Sequence, residues 1–143
     1  MHAPSYSSLN EFKKSIQGGN FAFNAALHAP DKVKGIIAIE PSGAPKPGPE
    51  LEKIKHIPML IVWGDYMNAP DLALPWKKFE ATIKAFAEDV NNRGGHVDWL
   101  VLPEIGIEGN EHMIMMDNNS DEVATVIHEW MGKNDLLRYW AGK

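Results

Sequence analysis

Cysteine is absent from the 143 residues, so the chain has no disulfide frame, no thiolate metal site and no cysteine nucleophile, and no redox compartment can be inferred. No stretch gathers lysine and arginine into a stripe, and the formal net charge is −5. That balance lacks the basic footprint of a nucleic-acid or anionic-lipid binder, and no nucleic acid is expected as a partner. No run approaches the ~18 apolar residues of a membrane-spanning helix, and the opening MHAPSYSSLNEFKK has no apolar core of signal-peptide type. A membrane partner is not expected, and localisation stays open. The six histidines (His2, His28, His56, His96, His112, His128) show neither HExxH spacing nor another close ligand pair, so no metal is expected. Gly18-Gly19 lacks the GxGxxG and Walker spacings, which leaves no nucleotide loop and no cofactor to expect.

What is present suits one folded domain: 44 % of the residues are hydrophobic and 23 % charged. Three segments have the length and β-branched content of buried strands: Val33 to Ile39, Met59 to Trp63, and Val97 to Leu102. The first two are near-continuous apolar runs, as in parallel strands covered on both faces. The third alternates in part, which places it closer to a sheet edge. Helical periodicity joins Phe79, Ile83, Phe86 and Val90, and again Val123, Val126, Ile127 and Trp130. Gly94-Gly95 stops the first of these helices, and Ser120, or Asn119 with Glu122 three residues on, caps the start of the second. A shorter helix is expected after Gly18-Gly19 and before Pro30, with Phe21, Ala22, Ala25 and Ala26 facing the sheet.

Strands alternating with helices imply an open α/β fold with a parallel sheet, and in such folds functional residues sit just beyond the strand C-termini. Glu40 ends the first strand, Gly64-Asp65 the second, and the third runs through 103–110 to His112. The proline-rich run from Pro41 to Pro49 is expected to cross the mouth of that site.

The segments KSIQGGN (14–20), IIAIEPSG (36–43), PMLIVWGDY (58–66) and GIEGNEHMIMMDNN (106–119) together resemble the α/β-hydrolase-fold serine esterases. Within them the likeness is to the group whose triad acid is a glutamate at the end of the strand after the nucleophile helix. The resemblance covers 15–133 and implies the C-terminal part of that domain, a partial α/β-hydrolase fold whose open parallel sheet has about three strands with flanking helices. Residues 1–14 are then an irregular N-terminal segment and 134–143 a C-terminal tail.

The resemblance implies that His112 is the general base, that Glu40 orients its ring and stabilises the imidazolium, with Asp65 as the alternative acid, and that the backbone of Gln17 donates to the oxyanion. The double glycine fixes the register of the elbow motif, so that Lys14 stands for its first glycine, Ser15 for its histidine and Ile16 for its nucleophilic serine. Isoleucine has no nucleophilic atom. Ser15 lies one residue early, flanked at two removed by Lys13 and Gln17 rather than by small residues. The expected function is that of a carboxylic-ester hydrolase relative in truncated or inactive form, complete relatives acting on small esters. The alternative is a non-catalytic binding or assembly module. Residues 1–14 are polar and contain Pro4, a poor neighbour for the strand from Val33 to Ile39, and an open strand edge there would favour self-association.

Overall fold

The computed structural model describes residues 18–64, 73–108 and 120–137. Along the chain run α1 (Gly18–His28), β1 (Ile36–Ile39), β2 (Met59–Trp63), α2 (Ala73–Asn92), β3 (Val97–Val101) and α3 (Ser120–Lys133), with short 3₁₀ turns at Pro30–Lys32, Pro49–Lys53 and Leu102–Ile105. The described strands form one sheet in the order β1-β2-β3. Both pairings are parallel, with Ile36 opposite Met59 and Met59 opposite Val97.

Alternate residues of each strand leave the sheet on opposite faces, and both faces are apolar. On one side Ile36, Ala38, Met59, Ile61 and Trp63 pack with Ala22, Phe23 and Ala26 of α1 and Ile83, Phe86 and Val90 of α2. On the other, Ile37, Ile39, Leu60 and Val62 pack with Val123, Trp130 and Met131 of α3. Every side chain of β1 and β2 is therefore buried, which is why these strands read as unbroken apolar runs. This is the open three-stranded parallel sheet with flanking helices expected from the sequence. β3 ends the described sheet and is half-buried after Val97, in keeping with its partial alternation.

The helix stops follow local chemistry. At the end of α2, Gly94 adopts φ +88°, its N–H donates to Asn91 O at 3.0 Å, and Gly95 N–H donates to Val90 O at 2.9 Å. A Cβ on Gly95 would come within 2.6 Å of Val90 Cγ1 and 2.7 Å of Val90 O, so only glycine lets the chain pass. α3 begins at Ser120, where its cap was expected, although the side chains of Asn119 and Ser120 lie outside the described residues.

Three expectations need correction. The face of α1 is set by Ala22, Phe23 and Ala26, while Phe21 is 70 % exposed and Ala25 only half-buried. Phe21 lies roughly 100° around the helix from Ala22 and points away from the sheet. Phe23 instead meets Phe86, with ring centroids 4.7 Å apart and planes tilted by 54°. Such a pair contributes about 0.5–1.5 kcal/mol beyond the area it buries. β1 is shorter than predicted, because the 3₁₀ turn at Pro30–Lys32 occupies the approach and the ladder begins with Ile36 N–H donating to Pro58 O at 3.0 Å. The run 41–49 reaches the opposite end of the sheet: Ala44 packs against the core on the side of α1 and α2, and Gly48 N–H donates to Asp89 Oδ2 at 3.0 Å near the C-terminal end of α2.

Candidate active site

The C-terminal end of β1 carries one acid, Glu40, with 1 % of its surface exposed. Its φ is +48°, in the left-handed region that non-glycine residues rarely occupy. Pro41 follows, and a residue before proline ordinarily takes an extended conformation, so the sequence alone points the other way. A residue held like this costs on the order of 1–3 kcal/mol and persists only where its surroundings over-determine it.

The ladder between β1 and β2 explains what the turn accomplishes. In a parallel pair alternate residues of a strand donate the N–H to one residue of the facing strand and accept at the C=O from the residue two further on. Glu40 N–H donates to Val62 O at 2.9 Å, which continues the ladder one residue past β1. The next regular rung would run from Gly64 N–H to the Glu40 carbonyl. In its place Gly64 N–H donates to the side-chain Oε1 of Glu40 at 3.2 Å. The main chain turns away through the positive φ, and the carboxylate occupies the acceptor position that the carbonyl leaves.

Of the remaining predicted site residues, His112, Asp65, Ile16, Ser15 and Gln17 lie outside the described residues, as does Lys14 at the first position of the elbow register. The described part of the site is thus Glu40 just past β1 and Gly64 just past β2, side by side at one end of the sheet. Trp63 precedes Gly64, is buried, and stacks obliquely on Trp99 of β3 with ring centroids 5.5 Å apart. The part of Gly64 was not legible: the sequence marks the end of the second strand but not which acceptor its N–H would meet.

Other polar clusters lie away from this end. Asp98 Oδ2 accepts from Trp130 Nε1 at 2.6 Å and lies 2.9 Å from His96 Nε2, tying α3 to the first half of β3. Asn91 Oδ1 accepts from Val97 N–H at 2.8 Å, and its Nδ2 donates to Val97 O at 3.3 Å. Glu52 bonds to Lys55 at 2.8 Å and to Arg93 at 3.2 Å. The Lys55 contact first, and Arg93 second, hold the Glu52 carboxyl below the usual carboxylate range. Asp89, the larger influence, and Glu52 raise Arg93. No group of three or more histidine and acidic side chains suited to a metal ion occurs among the described residues. None of the described helices is long and apolar enough to cross a membrane.

Two comparisons bear on this geometry. A solved bacterial esterase superposes with a TM-score of 0.76 at 32 % sequence identity, over 84 % of this chain and 36 % of the esterase. A protein of Fungal sp. (strain ATCC 74256) described as "Probable secreted lipase phiG" is 27 % identical over an alignment of 164 positions, covering 82 % of this chain and 44 % of that protein. No family model matches the chain. The fold, the structural match and the sequence match agree on an esterase-like α/β hydrolase relationship, as the motifs implied. In particular, the chain is similar to that bacterial esterase and that lipase over less than half the length of either.

Proposed function

We propose that this chain carries the acid and base side of an ester-hydrolase site, with Glu40 as the acid and His112 as the base, and that Ile16 at the nucleophile position leaves it with little or no hydrolytic activity of its own. The observation that supports this reading is Glu40 itself, a buried acid at a strand C-terminus, turned through a positive φ so that its carboxylate meets Gly64 N–H. An acid so placed has a chemical use. It holds an imidazole in one tautomer and stabilises the imidazolium formed when the ring accepts a proton. Asp65, one residue beyond Gly64, is the alternative acid, and the Gln17 backbone is the proposed oxyanion donor. The substrates proposed by analogy are small carboxylic esters. In this reading 15–133 form the hydrolase-like unit, with 1–14 and 134–143 outside it.

Loss of a serine nucleophile alone lowers kcat by on the order of 10⁶ in a well-studied hydrolase, so turnover of a small chromogenic ester should lie lower by about that factor than in an esterase with an intact serine. Turnover that Ile16→Ala leaves intact and His112→Ala abolishes would identify another nucleophile, Ser15 first, and overturn the inactive reading.

The second reading, a binding or assembly module, draws on β1. It ends the described sheet, and among the described residues no further strand pairs with its outer edge. Pairing of that edge with a second copy predicts a dimer at micromolar concentration in sedimentation. A monomer across that range contradicts it.

A further inference from the structure

The contact between Gly64 and Glu40 has the character of a positioning device rather than a chance end to the ladder. Main chain and side chain of one residue grip two points at the end of β2, one in the strand and one just past it: Glu40 N–H donates to Val62 O at 2.9 Å, and Glu40 Oε1 accepts from Gly64 N–H at 3.2 Å. These two bonds, with φ at +48°, limit the rotation of a side chain that otherwise has three free torsions. A backbone N–H is suited to this task because it cannot change rotamer and its position is set by β2, whose five side chains are all buried. A carboxylate accepts several hydrogen bonds at once, so engagement of Oε1 by Gly64 leaves the group able to accept from an imidazole as well.

We propose that the Gly64 backbone N–H is a positioning group for the candidate site, fixing the Glu40 carboxylate from β2 so that it is pre-aimed at the histidine it serves. This rests on the acid–histidine reading given above. Gly64 acts through Glu40 and touches no substrate. The contact couples the site to the buried centre of the sheet, and the aim of the acid then does not depend on the loop that follows it.

The test uses the full chain and nuclear magnetic resonance. A low-field imidazole N–H resonance assigned to His112 is expected in the wild type and lost in Glu40→Gln, which can still accept from Gly64 but carries no charge. Replacing the residue-64 nitrogen by oxygen, through glycolic acid at that position, removes the donor with little change of shape. The low-field resonance should then fall at least threefold in intensity while circular dichroism shows the fold retained. An unchanged resonance in that variant overturns the positioning role. Absence of the resonance from the wild type overturns the acid–histidine reading instead. A second measurement needs no altered backbone and does not involve His112. Exchange of the Gly64 amide should be at least tenfold slower in the wild type and Glu40→Gln than in Glu40→Ala, and equal rates in all three overturn the clasp itself.

Discussion

At two places among the described residues a side chain supplies what a strand's main chain would otherwise provide, and the two places differ in kind. Near the start of β3, the neutral carboxamide of Asn91 gives Val97 both an acceptor at 2.8 Å and a donor at 3.3 Å, as a peptide group does. Beyond the end of β1, the carboxylate of Glu40 takes the place of a carbonyl opposite Gly64 N–H. The amide is matched in donors and acceptors and part-buried, a low-cost way to finish a strand. The carboxylate is buried, accepts only, and is reached through a positive φ. A structure that needed only to close its ladder would use the first solution at both places. The second fits the role proposed for Glu40, that of an acid serving a histidine.

The support shared by both places should fail first. Phe86 lies under the sheet against Phe23, and Phe86→Ala is expected to remove about 3–5 kcal/mol, seen as a lowered denaturation midpoint. Next comes the neutral cap. Asn91→Ala leaves two polar groups of Val97 without their partner and should cost about 1–3 kcal/mol, and Asn91→Asp should cost a similar amount by losing the donor. The acid should behave oppositely. Glu40→Gln keeps the shape of the side chain and an acceptor for Gly64, so stability should lie within about 1 kcal/mol of the wild type. If Glu40→Gln is as damaging as Asn91→Asp in urea unfolding, the contrast between a structural amide and a functional acid collapses.

The smallest effect concerns the surface network of Glu52, Lys55 and Arg93. Because the Glu52 carboxyl is held below its usual range, its contribution is present above the unfolded-state value and is lost as pH falls through the lowered folded value. Both partners are solvent-facing, so the gain is small and screened by salt. Thermal midpoints of wild type and Glu52→Gln should therefore differ slightly at neutral pH and converge in acid.

Much of the fold was legible in the sequence, for a reason visible in the packing. Strands buried on both faces must be apolar throughout, so Met59 to Trp63 announces itself, and Gly94-Gly95 marks a stop that only glycine can make. The face of α1 was less legible. Two phenylalanines two residues apart sit among alanines, and contact with Phe86 rather than periodicity selects Phe23 over Phe21. At the candidate site the strand end and its acid could be read, but the positive φ of Glu40 could not, since Pro41 argues for an extended residue. Nor could the partner of Gly64, because a backbone N–H leaves no trace in a sequence.

The central claim is that Glu40 serves His112, and the most direct test is the separation between the Glu40 carboxylate and the His112 imidazole in a crystal structure of this chain. The account predicts an oxygen-to-nitrogen distance of about 3 Å, or a single bridging water, at the C-terminal end of β1. Pairing of His112 with Asp65 would leave the fold intact and transfer the role of acid. A His112 ring near neither carboxylate would contradict the account.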